Sequence, residues 1–309
     1  MSAHSQTKRL SRRRLLQWTV TAGVGLVAGC AREEKPAKRS APSAPPTGFV
    51  DSDGFKIYYE TFGQGKPIML VHGWGSSLQG NWVNTGWVEA LKPTRRVVAL
   101  DVRGHGESDK PREQAVYSYA RMSRDVLRVM DRLGIAKADY LGYSMGSFMG
   151  ASLLRHARER FTSMILGGIG DETDESLAVL PNIVAGLRAK DPAEVTDPVG
   201  SGYRAYADSD PRNDLEALAL SALQMWPEGF PLQLAGQGLA DIEVPILIVN
   251  GANDHPYVDT VHKLVEAMPN ARLAVIPDCD HLSVVGNPRF KEQALAFLAG
   301  RGAFKPAVP

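Results

Sequence analysis

The sequence predicts an α/β fold with a mostly parallel central sheet flanked by helices. From residue 49 onward, short runs rich in apolar and β-branched residues alternate with segments of helical hydrophobic periodicity. Runs such as Pro67–Val71 are continuously apolar, as expected for strands that are buried on both faces. This alternation is typical of right-handed β-α-β units. A length of 309 residues is sufficient for one such domain with a large core.

The individual elements follow in order along the chain. Phe49–Asp51 and Phe55–Thr61 flank Ser52-Asp53-Gly54, which is a signal for a β-hairpin. Further strands are predicted at Pro67–Val71, Val97–Val102, Ala138–Tyr143, Ser163–Ile169, Pro245–Asn250 and Arg272–Ile276. Helices between and after these strands are predicted at Asn81–Leu91, Tyr117–Leu133, Ser144–Ala157, Tyr257–Met268 and Pro288–Ala299.

The alternation is interrupted between the sixth and seventh strands. This stretch contains no strong strand signal, whereas Ser176–Leu187 and Asp214–Met225 have helical patterns. We interpret residues 170–240 as a helical cap inserted after the sixth core strand, with residues 49–169 and 241–309 forming the core. Its apolar side chains pack on the core or line an acyl pocket; they are Leu177, Val179, Leu180, Ile183, Leu187, Leu218, Leu223, Met225, Trp226 and Phe230.

The first 48 residues have the composition of an export signal followed by a tether. Arginines 12–14 precede an apolar stretch at Leu15–Ala28, whose roughly 14 residues are too short to cross a hydrocarbon core of about 30 Å. This order is typical of a signal peptide. The segment Ser11–Leu16 resembles a twin-arginine signal, and Val27–Cys30 resembles a bacterial lipobox, whose cysteine is lipidated.

These patterns predict a signal peptide at residues 1–29, then a lipidated Cys30 and a Pro/Ala/Ser-rich tether that together occupy residues 30–48. The expected product is an exported bacterial lipoprotein of the cell envelope, held to a membrane by the lipid on Cys30. The alternatives are a plain signal peptide cut elsewhere and an uncleaved signal anchor. Lipidation of Cys30 would leave Cys279 without a partner for an intramolecular disulfide.

The charge distribution argues against a nucleic-acid partner. The chain has 35 Lys and Arg against 34 Asp and Glu, but nine of the basic and two of the acidic residues lie in residues 1–48. The remainder carries 26 basic and 32 acidic residues, a net charge of −6. A nucleic-acid-binding domain needs a basic face. The sequence also shows no metal-binding or phosphate-loop motif, so we expect no metal and no cofactor. It indicates no obligate protein partner.

A nucleophile motif lies where a strand passes into a helix. The segment Gly142–Gly146 matches G-x-S-x-G, in the strand–turn–helix context that this motif requires. Ser144 would occupy the sharp turn, and the backbone N–H of Met145 would face a developing oxyanion. The loop His72–Gly75 follows an apolar strand, and its Trp74 can offer a second backbone N–H.

The serine needs a base, and the base needs an orienting acid. His281 follows the last predicted strand, at the sheet edge where ligands bind in open α/β sheets. The other six histidines lie in the signal, in helical patterns, in Gly-rich loops or beside Asp254. Asp254 follows a strand at the same edge and completes the chain order Ser…Asp…His. Asp171, after the preceding strand, is the alternative acid.

Together these segments resemble the α/β-hydrolase family over roughly residues 49–300. The resemblance rests on HGWG at 72–75, DVRGHGES at 101–108, GYSMG at 142–146, PILIVNGANDH at 245–255, and DHLSVVGNP with a closing helix at 280–299. It implies Ser144 as nucleophile, His281 as base and Asp254 as acid, with the N–H groups of Trp74 and Met145 as oxyanion hole. The loop at 101–108 resembles a structural loop of the family. A serine nucleophile disfavours the dehalogenase and epoxide-hydrolase branches, and HGGG and HGGPG are absent.

The predicted activity is hydrolysis of a carboxylic ester through an acyl-enzyme. The expected substrate is a small to medium, moderately hydrophobic ester. The same residues could serve a C–C hydrolase, an enol-lactonase or thioesterase, or a cofactor-free haloperoxidase or perhydrolase. A non-catalytic binding lipoprotein is the alternative outside the enzymes.

Overall fold

One eight-stranded sheet organises the part of the chain that the computed structural model describes, residues 47–300. The strands are β1 (Thr47–Ser52), β2 (Phe55–Phe62), β3 (Lys66–Val71), β4 (Arg95–Leu100), β5 (Ala138–Tyr143), β6 (Phe161–Gly167), β7 (Ile246–Gly251) and β8 (Ala271–Ile276). Their spatial order is β1-β2-β4-β3-β5-β6-β7-β8. Strand β2 pairs antiparallel with β1 and β4, and the other pairs are parallel. The predicted mostly parallel sheet is confirmed.

Helices cover both faces of this sheet. Those before β6 are α1 (Trp87–Leu91), α2 (Tyr119–Arg132) and α3 (Met145–His156). The cap between β6 and β7 holds α4 (Asp174–Ala178), α5 (Leu180–Arg188), α6 (Pro198–Asp208), α7 (Leu215–Met225) and α8 (Pro231–Ala235). After β7 come α9 (Tyr257–Thr260), α10 (His262–Ala267) and, beyond β8, α11 (Pro288–Leu298). A helical cap after the sixth strand is therefore confirmed.

The core consists of two apolar layers, one on each face of the sheet. Because side chains alternate along a strand, Tyr140 of β5 joins one layer while Leu141 and Tyr143 join the other. All six residues of β5 are buried. The motif strand β5 is therefore an interior, fully buried strand, and the motif serine follows at its end.

The boundaries differ from the prediction at several places. Strand β1 begins at Thr47, two residues before the predicted start of the core. The predicted helix at 81–91 is a π-helical turn followed by α1, separated at Gly86, whose φ is +81°. The predicted helices at 176–187 and 257–268 are each two shorter helices, and α6 was not predicted.

The predictions for the chain before residue 47 lie outside the described residues. These are the twin-arginine signal, the lipidated Cys30 and most of the tether. Between residues 47 and 300, no helix is both long and apolar enough to cross a membrane. The thiol of Cys279 is buried, and its sulfur accepts a hydrogen bond from Asn287 Nδ2 at 2.9 Å.

Candidate active site

Ser144 lies at a strained turn between β5 and α3. Its φ of +49° falls in the left-handed region, which non-glycine residues rarely adopt. A Cβ at Gly146 would clash with the carbonyl of Val71, so only glycine lets α3 start this close to β3. The Ser144 N–H donates to the Gly167 carbonyl at 2.8 Å. These contacts hold the serine side chain above the carboxyl edge of the sheet.

A hydrogen-bonded chain joins Ser144, His281 and Asp254. His281 Nε2 lies 2.9 Å from Ser144 Oγ, and its Nδ1 lies 2.9 Å from Asp254 Oδ1. A carboxylate can only accept, so Nδ1 carries the ring proton and Nε2 is free to accept the serine proton. Asp254 is buried, and its Oδ2 has no partner within residues 47–300. The contact of the Asp254 side chain with His281 is therefore made through Oδ1 alone.

Asp171, the alternative acid, and Asp280, the residue before His281, form hydrogen bonds with other groups. Asp171 Oδ2 accepts from Lys263 Nζ at 2.8 Å. Asp280 Oδ1 accepts from the N–H and hydroxyl of Ser283, and these bonds lower the pKa of the Asp280 carboxyl. The structure thus brings Asp254, and not Asp171, to the ring of His281.

Two tyrosines hold the imidazole of His281 between them. The ring centroids of Tyr143 and Tyr257 lie 5.4 and 5.3 Å from that of His281. The Tyr143 hydroxyl also donates to the His281 carbonyl. These contacts restrict the rotation of the ring. The sequence did not predict either contact, because Tyr143 occupies a variable position of the G-x-S-x-G motif and Tyr257 lies outside the motifs.

The loop after β3 lies next to Ser144 at Gly73, one residue before Trp74. Gly73 N–H donates to Asn81 Oδ1 at 2.7 Å, and His72 Nδ1 donates to the Gly73 carbonyl at 2.8 Å. A Cβ on Gly73 would lie 3.3 Å from Ser144 Cβ, so a larger residue would crowd the nucleophile. The backbone N–H groups of Trp74 and Met145 have no acceptor among the described residues. Met145 opens α3, so its N–H lacks a partner within the helix.

The loop after β4 braces this arrangement, as the sequence predicts. The buried Asp101 carboxylate accepts from Leu78 N–H at 2.7 Å and from Glu107 N–H at 2.8 Å. Burial raises the pKa of Asp101 to about 6. Arg103 and Asp125 form an ion pair that is fully buried. The His72 ring accepts from Val102 N–H at 3.0 Å, which ties the two loops together.

Above Ser144 lies a cavity of about 1230 Å3 between the sheet edge and the cap. Its wall exposes more apolar and aromatic surface than polar surface. Of the apolar cap residues proposed as lining, Val179 and Trp226 reach it, whereas Leu180, Ile183, Leu187 and Leu218 are buried in the core. The remaining cap and loop side chains on the wall are mostly polar or aromatic, and include Glu172, Ser176, Tyr203, Tyr206, Asp210 and Arg212.

A second, much smaller compartment of about 30 Å3 adjoins the nucleophile. Ser144 and Met145 line it, but His281 does not. Its remaining walls are Trp74, Tyr119, Phe148, Glu172, Met225, Trp226 and Tyr257. The space next to the nucleophile is therefore divided into a large part on the histidine side and a small part, lined mainly by aromatic residues, beside Met145.

The fold and the site define a class of enzyme. Residues 66–226 match the family described as the alpha/beta hydrolase fold. The chain belongs to this family, and it is an α/β-hydrolase enzyme.

Individual relatives agree on the family but differ in activity. The chain is 27% identical over 274 residues to 2-hydroxy-6-oxo-6-(2'-aminophenyl)hexa-2,4-dienoic acid hydrolase of Metapseudomonas resinovorans, covering 82% of this chain and 91% of that protein. A solved hydrolase from Pseudomonas aeruginosa PA01 superimposes with a TM-score of 0.68 at 28% identity, covering 82% of this chain and 98% of that one. Est816, described as an N-acyl homoserine lactone degrading enzyme, has a TM-score of 0.64 at 26% identity, with 81% and 100% coverage.

Proposed function

We propose that this protein hydrolyses carboxylic esters through an acyl-enzyme on Ser144. The observation that supports the proposal is the continuous hydrogen-bonded chain from Asp254 through His281 to Ser144 at the strained turn. This is the geometry of an activated nucleophile with an oriented base. The free N–H groups of Trp74 and Met145 supply donors for the oxyanion.

Each step of the reaction uses an atom that the site positions. Ser144 Oγ attacks the ester carbonyl while His281 Nε2 takes its proton, and Asp254 stabilises the imidazolium. Each backbone donor to the oxyanion contributes about 3 kcal/mol to transition-state stabilisation. His281 then protonates the leaving alcohol. A water molecule, deprotonated by His281, attacks the acyl-enzyme, and its bond to Ser144 Oγ breaks to release the acid. His281 gives the proton that it took from water to Ser144 Oγ.

The two compartments suggest which part of the ester goes where. His281 must reach the leaving oxygen, so the alcohol belongs in the large cavity that His281 lines. The acyl group then points into the small compartment, which holds about two water-sized groups. We therefore propose a short acyl group, such as acetyl or propionyl, and a larger alcohol.

The proposal is tested by labelling and by a substrate series. A small fluorophosphonate should form one adduct, on Ser144, that is absent in Ser144→Ala and strongly reduced in His281→Ala. Turnover of p-nitrophenyl acetate should exceed that of the octanoate by more than tenfold, because the longer chain does not fit the small compartment. Weak turnover of all esters beside strong turnover of a lactone, a dienoic acid or peroxide would favour the alternative activities.

We further propose that the enzyme is exported and anchored to a membrane by a lipid on Cys30. The support is the order of basic, apolar and small residues before Cys30. In a bacterial host, Cys30→Ser should move the protein from the membrane fraction to the soluble fraction of the envelope. An unchanged distribution would exclude the lipid anchor.

A further inference from the structure

Glu172 is a buried carboxylate in the wall of the cavity that the proposed triad does not use. It follows β6, is 6% exposed, and borders both compartments beside Ser144. Its Oε1 accepts from the Tyr257 hydroxyl at 2.6 Å and its Oε2 from the Ser176 hydroxyl at 2.5 Å. Both donors are neutral, and no Lys, Arg or His side chain within residues 47–300 forms an ion pair with it.

The Glu172 carboxylate has no ion-pair partner within residues 47–300. Burial raises the pKa of Glu172, and the two hydroxyl donors together with His281 only partly offset that effect. Two oxygens offer about four acceptor sites, so the two hydroxyl bonds leave acceptor capacity toward the cavity. A buried carboxylate is stabilised when a cation comes into contact with it. The Arg212 guanidinium on the same cavity wall is already paired with Asp210 at 2.6 Å.

Aromatic rings line the cavity beside Glu172. Trp74, Tyr203 and Trp226 contact one another, with centroid separations of 5.4 to 5.9 Å. Tyr257, which donates to Glu172, forms another part of the wall. Aromatic faces carry negative partial charge and attract organic cations, most strongly where water is excluded. A carboxylate together with several aromatic rings offers the groups with which proteins bind an ammonium group.

We propose that Glu172 and these rings bind an organic ammonium group carried by the alcohol part of the substrate. The inference rests on the proposed ester hydrolysis and specifies its substrate class. The alcohol part is assigned because the small acyl compartment is too small for an alkylated nitrogen, whereas the large cavity has room for it. Binding there would hold the leaving oxygen on the side of His281.

A matched pair of esters tests the charge preference. 2-(Trimethylammonio)ethyl acetate and 3,3-dimethylbutyl acetate have nearly the same shape, but only the first is charged. We expect the unaltered enzyme to favour the charged ester at least tenfold in kcat/KM. In Glu172→Gln, which keeps the shape of the side chain and one of its two acceptor oxygens, this ratio of charged to neutral turnover should fall below about threefold. The control Glu175→Gln removes an exposed carboxylate nearby and should keep the full preference.

Two outcomes overturn the proposal: no preference in the unaltered enzyme, or an equal loss for both esters in Glu172→Gln. A binding measurement separates this failure from failure of the esterase activity. In Ser144→Ala, tetramethylammonium should quench tryptophan fluorescence with saturation, and Glu172→Gln in that background should weaken the binding at least tenfold. Binding of tetramethylammonium without ester turnover would support the ammonium site and contradict the proposed esterase activity. Ester turnover without binding or charge preference would support the esterase activity and contradict the ammonium site.

Discussion

Asn81 holds the backbone of the candidate oxyanion site, although it belongs to none of the sequence motifs. Its Oδ1 accepts the Gly73 N–H, while His72 Nδ1 donates to the carbonyl of the same residue. Both polar groups of Gly73 are therefore held by buried side chains. Because the Trp74 N–H is one residue further along the backbone, its direction depends on these two bonds.

We expect Asn81→Ala to lower kcat about tenfold with KM changed less than twofold. The substitution leaves the buried Gly73 N–H without a partner, so the loop shifts and one oxyanion donor weakens; a tenfold loss corresponds to about 1.4 kcal/mol. Steady-state kinetics on p-nitrophenyl acetate measure the effect. Asn84→Ala, on the wall of the same cavity, is the control and should leave kcat near its original value. Equal losses in both variants would contradict a role for the Gly73 contact.

At the residue scale, the sequence predicts the residues that lie at fixed positions relative to strands. Ser144, Asp254 and His281 each follow a strand at one sheet edge, and the structure brings them within hydrogen-bonding distance. Glu172 follows β6 at that same edge, so the same argument could have found it. Tyr257 could not be predicted, because its contact with His281 depends on how the chain turns after Asp254.

At the scale of elements, the cap shows where sequence patterns lose their predictive value. Helix α6 contains Pro198, Gly200 and Gly202, which disfavour helix in isolation. Two contacts overcome this: Asp197 Oδ1 caps the helix by accepting from Gly200 N–H at 2.8 Å, and α6 packs closely on α5. The packing of α6 on α5 joins residues of two different helices, so the hydrophobic periodicity of α6 alone could not reveal it.

Substitution of Gly200 and of Gly202 in α6 by alanine should change the free energy of unfolding in opposite directions. A Cβ at Gly200 would lie 2.6 Å from the Asn182 carbonyl oxygen, whereas a Cβ at Gly202 would meet nothing within 4 Å. Gly200→Ala should therefore lower the free energy of unfolding by about 1–3 kcal/mol through overpacking. Gly202→Ala should raise it by up to about 1 kcal/mol, because alanine favours helix. Urea denaturation followed by circular dichroism measures both; changes of the same sign would contradict the close contact of α5 with α6.

At the scale of the whole molecule, hydrogen bonds of buried titratable side chains stabilise the loops at the sheet edge. Burial lowers the pKa of His72 to about 4 and that of His105 to about 3. Protonation of His72 Nε2 would abolish its bond from Val102 N–H. His105 Nδ1 donates to the Arg103 carbonyl at 3.1 Å, and its buried Nε2 has no partner within the described range, so a proton there would lack an acceptor. Acid should therefore weaken the loops that support Trp74.

We expect His72, His105 and Asp101 together to lower the free energy of unfolding by about 3 kcal/mol between pH 7 and pH 5. Below pH 6.5 the unfolded chain binds protons on His72 and His105 that the folded protein does not, which costs about 2 kcal/mol for each by pH 5. Asp101 opposes this loss of stability by about 1 kcal/mol. Its pKa of about 6 in the folded protein lies above the value in the unfolded chain, so the folded protein binds this proton at higher pH. Urea denaturation at both pH values measures the difference.

A pair of histidine variants shows which group carries this pH dependence. His105→Asn keeps a donor near the Nδ1 position but cannot be protonated, so its free energy of unfolding should fall by about 2 kcal/mol less between pH 7 and pH 5. It is expected to be less stable at pH 7, because the smaller side chain leaves space in a buried site. His262→Gln replaces an exposed histidine on α10 and should retain the full pH dependence. An unchanged pH dependence in His105→Asn would mean that His105 titrates normally in the folded protein and does not link acid to the loops of the candidate active site.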